Sequence, residues 1–216
     1  MKSRPAYLPA LRFHALTALY DPLVRWATRE ATFKRALLEQ ARIEAGHKAL
    51  DLGCGTGTLA VAMARAHPDS DIWAVDADPA MLARTRAKAE RAGVQLTGSQ
   101  AMADRLPFGD ACFDRVLSSL LFHHLLPKEK RCALGEIRRI LKPGGELLLA
   151  DWNKPTNPLL HLGAMVVRLV DGFERTAEVL SGKLSDLITE AGLHQAPPMQ
   201  SFATPLGRLT LYRARR

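Results

Sequence analysis

The sequence contains few cysteines. Only Cys54, Cys112 and Cys132 occur among its 216 residues, and no two of them have C-x-x-C spacing. An odd and sparse set supports neither a disulfide framework nor a structural zinc site. Because proteins without structural disulfides are typical of reducing compartments, the sequence favours a cytoplasmic location.

Long apolar runs are absent as well. No stretch reaches the length of about 20 residues that a membrane-spanning helix needs. The first residues, Met1 to Pro5, lack the apolar core and cleavage site of a signal peptide. The 216 residues, 47% of them apolar and 24% charged, are sufficient for one well-buried domain.

Acidic residues are the minority charge. The 30 Lys and Arg residues exceed the 22 Asp and Glu residues, which gives a net charge of +8. The basic residues are spread over the chain, and there is no zinc finger, RNP motif or aromatic-basic array, so the sequence predicts no nucleic-acid partner. Because a basic protein is attracted to anionic surfaces, a membrane surface stays open as a partner.

A glycine-rich stretch, Ala49 to Ala60, organises the chain. A buried strand end, Ala49 to Leu52, is followed by Gly53, Gly55 and Gly57 and then by a helix-forming run. Strand, glycine turn and helix form the loop of a nucleotide-type cofactor, because glycine lets the chain turn sharply against a ligand. A dinucleotide loop, G-x-G-x-x-G, would need glycine where Thr58 stands, and no P-loop motif is present. The loop therefore argues against an NAD(P)-dependent dehydrogenase.

A carboxylate is predicted beside this loop. The stretch Asp71 to Asp76 has the pattern of a second strand and ends in an acid. Asp76 at the strand tip can accept hydrogen bonds from both hydroxyls of a ribose, and such charge-assisted bonds are strong. Asp78, directly before Pro79, is the better candidate for the cap of the next helix.

The motifs together resemble those of class I S-adenosylmethionine (SAM) methyltransferases, especially the small UbiE-like group. They are D-L-G-C-G-T-G from Asp51, L-P-F from Leu106, F-D-x-V from Phe113 and L-K-P-G-G from Leu141. The resemblance implies an α/β fold, Rossmann-like and doubly wound. Its seven-stranded, mostly parallel sheet would have helices on both faces and a C-terminal antiparallel hairpin. It implies SAM as cofactor, S-adenosylhomocysteine (SAH) as product, and a small molecule as methyl acceptor.

The same resemblance implies a set of cofactor-binding residues. In the family's adenine-site acid position this chain has Met102, whose soft thioether can still pack on a purine. Backbone near Ser118 would face the methionine part of the cofactor. The full set is Tyr20, Asp51, Gly53, Cys54, Gly55, Gly57, Asp76, Ala77, Met81, Met102, Ala103 and Ser118.

The candidate catalytic residues are His123, His124 and Asp151. Both histidines follow the predicted strand 112–119, at the sheet edge where ligands bind in open α/β folds. A neutral imidazole there can take a proton from an acceptor. Asp151 ends the predicted strand 146–151 and either orients the acceptor or forms a turn. With no carboxylate or third histidine at ligand spacing nearby in the sequence, no metal is predicted.

The predicted organisation is effectively one domain. An N-terminal helical cap, 1–45, precedes the methyltransferase domain, 46–216. An apolar helical insert at about 155–182 forms a lid or an added core helix. The apolar residues of the cap and of the insert suggest that the acceptor is apolar, aromatic or lipid-like. Alternatively, the basic N-terminal helices rest on anionic lipid.

The third strand is predicted at 94–97, and the hairpin at 199–204 and 208–213. The alternative function is a non-catalytic SAM- or SAH-binding regulatory protein. The sequence is compatible with a monomer or a homodimer.

Overall fold

The computed structural model describes residues 28–197 and 200–216. Five strands run parallel: β1 (Lys48–Leu52), β2 (Asp71–Asp76), β3 (Thr97–Gln100), β4 (Phe113–Ser119) and β5 (Leu141–Asn153). Three C-terminal strands, β6 (His194–Gln195), β7 (Gln200–Thr204) and β8 (Gly207–Arg215), complete the sheet. Four of the parallel strands, β1, β2, β4 and β5, carry buried apolar residues because both faces of such a sheet are covered, whereas the edge strand β3 carries none.

The strand order is β3-β2-β1-β4-β5-β8, and β8 is antiparallel to β5. The order reverses between β1 and β4, which places a crevice beyond the carboxyl ends of these two neighbouring strands. The predicted Rossmann-like, doubly wound architecture with its C-terminal hairpin is confirmed.

The number of strands differs from the expected seven, because the sheet has eight. The additional strand is the two-residue β6. It pairs with Arg215 and Ala214, whereas β7 pairs with the segment 207–211, so both lie along the same edge of β8. The sheet is therefore seven positions wide, and its last position is filled by two short segments.

Seven α-helices occur among the described residues. They are α1 (Glu30–Ala41), α2 (Thr58–Ala66), α3 (Pro79–Ala92), α4 (Pro127–Ile140), α5 (Pro158–Asp171), α6 (Phe173–Leu180) and α7 (Leu184–Glu190). Asp78 caps α3 as expected, since its side chain accepts a hydrogen bond from Ala80 N. The predicted insert consists of α5 and α6. Within the described residues, no helix combines the length and apolar character that crossing a membrane requires.

The third strand begins three residues later than the sequence pattern predicts. It begins at Thr97 rather than Val94, because the chain after α3 first closes the helix end. Gly93 and Val94 donate backbone hydrogen bonds back to Ala89 and Glu90. Apolar residues directly after Gly93 therefore belong to a helix C-terminal motif, and pairing with β2 starts only at Thr97 opposite Trp73.

Helix α5 packs on the turn of the β7–β8 hairpin through a glycine. A Cβ at Gly163 would lie 2.3 Å from Pro205 O and 2.9 Å from Leu206 Cα. Because backbone atoms cannot yield as a flexible side chain would, this contact needs a residue without a side chain. The contact fixes the position of α5 relative to the sheet.

We expect Gly163→Ala to lower the free energy of unfolding by about 1–3 kcal/mol through overpacking. Gly135→Ala is the matched control, since it lies in α4 and nothing stands within 4 Å of its Cβ position. This control should raise stability by up to about 1 kcal/mol because alanine favours helix. Urea denaturation measures both changes, and equal effects of the two substitutions would contradict the packing argument.

Candidate active site

The glycine loop is tied to the end of β2. The backbone N–H groups of Gly53 and Cys54 both donate to Val75 O, at 2.8 and 3.0 Å. Gly57 precedes α2 at φ 74°, a left-handed conformation that glycine adopts without strain. The loop therefore leaves β1 in a fixed direction and delivers the chain to the N-terminus of α2.

Two of the three glycines are also required by close packing. A Cβ at position 53 would lie 2.9 Å from the Leu121 side chain, and one at position 57 would lie 2.5 Å from the Thr85 side chain. At Gly55 nothing stands within 4 Å of the Cβ position. The loop is thus closed on its protein side and open at its middle glycine, where a ligand can approach the backbone.

Asp76 holds the middle of the loop, as its position at the tip of β2 predicts. Its Oδ2 accepts a hydrogen bond from Gly55 N at 2.8 Å, and its Oδ1 accepts one from Asp78 N at 2.9 Å. Burial raises the pKa of this carboxyl, against the lowering effect of these two bonds. A carboxylate has about four lone-pair positions, so acceptor capacity is left for a ribose.

Asp51, at the end of β1, is buried beneath the loop. Its Oδ2 accepts a hydrogen bond from Ala60 N at 2.9 Å, in the first turn of α2. Its Oδ1 is buried without a hydrogen-bond partner among the described residues. Burial raises the pKa of Asp51 to about 6, and the nearby Lys34 opposes this effect. An orphaned buried oxygen is costly unless a ligand supplies a donor.

The other predicted cofactor residues lie at this edge or just behind it. Ser118 is buried at the end of β4, and its hydroxyl donates to Leu52 O at 2.9 Å. The Ala77 carbonyl accepts from Gln100 Nε2 at 3.1 Å. Cys54 is buried, whereas Met102 is 42% exposed after β3. Met81 and Ala103 are half-buried. Tyr20 lies outside the described residues.

Sequence reasoning missed three side chains that shape the loop. Thr85 donates to Gly55 O at 3.0 Å, and Leu121 lies against Gly53. Lys88 donates to Thr56 Oγ1 at 3.2 Å and to Thr58 Oγ1 at 2.9 Å. The helical spacing of Thr85 and Lys88 on one side of α3 was the available indication.

A second group of polar residues lies at the ends of β4 and β5. Leu120 follows β4 at φ 55°, a strained conformation for leucine, and the 3₁₀ turn Phe122–His124 comes next. Asp151, fully buried, accepts hydrogen bonds from Phe122 N and Trp152 N, both at 2.7 Å. The remaining contact of Asp151 is with His123 Nδ1, at 2.8 Å.

Although the sequence has no carboxylate at ligand spacing near the two histidines, the fold brings one close to them. Asp171, the last residue of α5, has Oδ2 at 3.8 Å from His123 Nε2 and Oδ1 at 3.2 Å from His124 Nδ1. The residue is 47 positions beyond His124 in the chain, so local spacing could not show it. We call His123, His124, Asp151 and Asp171 the histidine cluster.

The charges within the histidine cluster are coupled. Burial lowers the pKa of His123, but Asp151 and Asp171 more than reverse this, so the pKa is raised overall. Burial and the neighbouring His123 lower the pKa of His124. Although burial opposes it, the two histidines hold the pKa of Asp171 below its usual value. Only His124 has a substantially exposed side chain, at 33%.

Helix α6 is fastened to the turn that carries the histidines. The Arg175 guanidinium donates to the carbonyl of His124. Lys130, a lysine with no exposed surface, donates to Leu125 O and Arg175 O, both at 2.7 Å. These bonds hold the insert, and with it Asp171, against the end of β4.

Comparison with known proteins agrees with this geometry. The family model described as "Methyltransferase domain" matches residues 49–145. A ubiquinone/menaquinone biosynthesis C-methyltransferase UbiE of Bordetella avium is 35% identical over 150 residues, which are 68% of this chain and 58% of that protein. The chain thus spans less than two thirds of this relative. An uncharacterized methyltransferase of Synechocystis is 31% identical over 163 residues, 76% of this chain and 74% of that protein.

Solved structures show the same fold. A SAM-dependent methyltransferase from Aquifex aeolicus superposes with a TM-score of 0.64 at 18% identity, over 84% of this chain and 88% of that one. A SAM-dependent methyltransferase structure from Methanosarcina mazei superposes with a TM-score of 0.67 at 19% identity, over 83% of this chain and 96% of that one. The fold and the glycine loop are those of the class I SAM-dependent methyltransferases. The chain belongs to this family, and within it to the UbiE-like group.

The site residues fit the family's cofactor, SAM. Asp76 has free acceptor capacity beside the open backbone of Gly55, which suits a ribose. The orphaned oxygen of Asp51 suits a donor that carries positive charge, which the ammonium group of the SAM methionine provides. When bound, SAM supplies an electrophilic methyl group on a sulfonium.

We expect Asp76→Ala to weaken SAH binding about 10- to 100-fold, because hydrogen bonds to a charged group contribute about 1.5–3 kcal/mol. Asp71→Ala is the matched control, since Asp71 is exposed at the opposite end of β2. Isothermal titration calorimetry measures both variants. Unchanged SAH affinity in a folded Asp76→Ala protein would contradict the assignment.

We expect SAH affinity to fall as the pH is lowered through about 6, because Asp51 then takes up a proton and can no longer pair with an ammonium group. Asp51→Asn should flatten this part of the profile, as measured by calorimetry between pH 5 and 8. In the unliganded protein, the folded-state pKa of Asp51 lies above the unfolded value of about 3.9, so protonation of Asp51 favours the folded state. The contribution of Asp51 to stability is therefore present at low pH and declines as the pH rises from about 4 to 6.

Proposed function

We propose that this chain transfers the methyl group of SAM to a small, apolar acceptor of aromatic or lipid-like character. In the reaction an acceptor atom attacks the sulfonium methyl carbon, the carbon–sulfur bond breaks, SAH leaves, and the acceptor loses one proton. The protein's contribution is to align the acceptor with that carbon and to exclude water. The proposal of this acceptor class depends on one observation, an exposed apolar helix face.

That face lies on the insert. Seven large apolar side chains are between 43% and 76% exposed: Leu159, Leu162, Met165, Val166, Leu169, Val170 and Phe173. A monomer rarely exposes so many neighbouring apolar side chains without a binding role. Helix α5 starts five residues after Asn153, the last residue of β5, and thus at the ligand edge of the sheet.

We infer that the face of α5 receives the apolar part of the acceptor, with α5 and α6 acting as a lid. Residues 1–27 of the predicted helical cap, 1–45, lie outside the described residues, so the proposal does not depend on them. The UbiE relatives' name supports an aromatic acceptor, since it assigns them to the biosynthesis of ubiquinone and menaquinone. Near the histidines, Trp152 has a buried indole N–H without a hydrogen-bond partner among the described residues, and its ring centroid lies 6.2 Å from that of His123.

The residues that act on the acceptor are, in this proposal, His123, His124 and Asp151. His124 is the partly exposed member and so faces the acceptor. His123 and Asp151 are buried behind it and keep the turn in place. His124 takes the proton that the acceptor loses, and His123 and Asp151 act through the turn that positions it.

The test uses radiolabelled SAM and two panels of acceptors. We expect label in 1,4-naphthohydroquinone or in long-chain phenols, and none in polar acceptors such as glycine or guanidinoacetate. Tight SAH binding without transfer to any apolar acceptor would contradict the proposal and favour a binding protein. Transfer only to the polar panel would retain the enzyme and reject the acceptor class.

A charge placed on the apolar face should separate acceptor binding from cofactor binding. We expect Val166→Glu to raise KM for the apolar acceptor about tenfold, because burying a valine contributes about 1.5 kcal/mol or more, and to leave SAH affinity unchanged. His161→Glu, which places the same charge at an exposed polar position of α5, is the control. Equal KM values for both variants would exclude the face from the acceptor site.

A further inference from the structure

The histidine cluster contains three donors that meet although they come from two separate elements. One ring nitrogen of His123, one of His124 and one carboxylate oxygen of Asp171 all lie within 4.8 Å of one another. The two histidine contacts of Asp171 measure 3.8 and 3.2 Å. Two ligands of a tetrahedral zinc ion, each about 2.1 Å from it, are roughly 3.4 Å apart. The two contacts, which involve different oxygens of Asp171, lie on either side of this spacing, and the three donors are within 4.8 Å of one another.

Asp151 decides which nitrogen of His123 is available. A carboxylate only accepts hydrogen bonds, so the 2.8 Å contact places a proton on His123 Nδ1. In the neutral ring Nε2 then presents its lone pair, and Nε2 is the nitrogen nearer to Asp171. A carboxylate behind a histidine is the usual outer partner of a metal ligand, because it fixes the ring's orientation and tautomer.

We propose that His123, His124 and Asp171 bind one divalent metal ion of the zinc type. Two imidazoles and one carboxylate suit Zn²⁺ and its first-row neighbours, whereas Mg²⁺ and Ca²⁺ favour oxygen ligands alone. A cation between these donors also removes the conflict of a lone pair facing a carboxylate.

Three protein ligands leave one coordination position for another molecule. The cluster opens to solvent on the side of His124, since His123 and Asp171 have side chains only 5% and 11% exposed. The role of the ion rests on the proposed function: it would bind a heteroatom of the acceptor and lower the pKa of that group. His124 would then act on the acceptor as a metal ligand.

Binding is tested on the full chain without SAM. Protein stripped with a chelator is titrated with Zn²⁺ by calorimetry and with Co²⁺ by visible absorption. We expect one ion per chain with a micromolar or lower Kd, and intense bands of four-coordinate Co²⁺. Absence of saturable Zn²⁺ binding at one equivalent would overturn the proposal, because the cluster would then bind no metal ion.

Variants locate the ion. Asp171→Asn and His124→Gln should each weaken Zn²⁺ binding at least tenfold and abolish the Co²⁺ bands. The controls His161→Gln and Asp186→Asn change exposed residues of the same types outside the cluster and should bind as the unmodified protein does. SAH binding shows that each variant is folded. If binding survives both cluster variants, or is lost equally in the controls, the ion belongs elsewhere and the proposal fails.

The metal site and the methyltransferase proposal can fail independently. Zinc binding without methyl transfer would retain the site and reject the proposed reaction. Methyl transfer by chelator-treated protein with undiminished kcat, together with no zinc binding, would retain the reaction and reject the site.

Discussion

The hydrogen bond from Gly55 N to Asp76 is the contact on which the shape of the glycine loop, and with it the proposed cofactor site, depends. It joins the loop after β1 to the end of β2, so two neighbouring parallel strands deliver one continuous surface. Asp51 makes the complementary contact below, where it accepts from Ala60 N and fixes the start of α2. One carboxylate therefore holds the middle of the loop and the other holds the helix that follows it, and the backbone at Gly55 remains open. The arrangement works because parallel strands end together at one edge of the sheet.

The site retains features that do not favour the stability of the unliganded fold. Asp51 keeps an unpartnered buried oxygen, and Leu120 holds a left-handed backbone conformation just before the histidine turn. Each feature costs free energy that the surrounding packing must offset. Both lie at the carboxyl edge of the sheet, while the strands behind them supply much of the buried apolar core. Such local conflicts concentrate where a protein binds and reacts.

The sequence predicted what is encoded over short distances. The glycine loop, the acid at the tip of β2 and the Asp78 cap each need only a few consecutive residues, and the parallel order follows from the alternation of strands and helices. The start of β3 was placed wrongly, since apolar residues after Gly93 serve a helix end as readily as a strand. Asp171 could not be found, because its approach to the histidines depends on how α5 packs. Leu121 was missed for the same reason: a contact between loops has no periodicity.

Helix α5 links the two halves of the proposed acceptor site. Its outer face is apolar and exposed, and its last residue reaches the histidine cluster. Its position is set by the contact of Gly163 with the turn at Pro205, and by α6, whose Arg175 bonds to the carbonyl of His124. A shift of α5 along the sheet would therefore move the apolar surface and Asp171 together. Because one rigid helix carries both, packing of α5 against the sheet would cover the acceptor and complete the polar cluster at the same time. The reaction would then take place only while α5 is packed in this position.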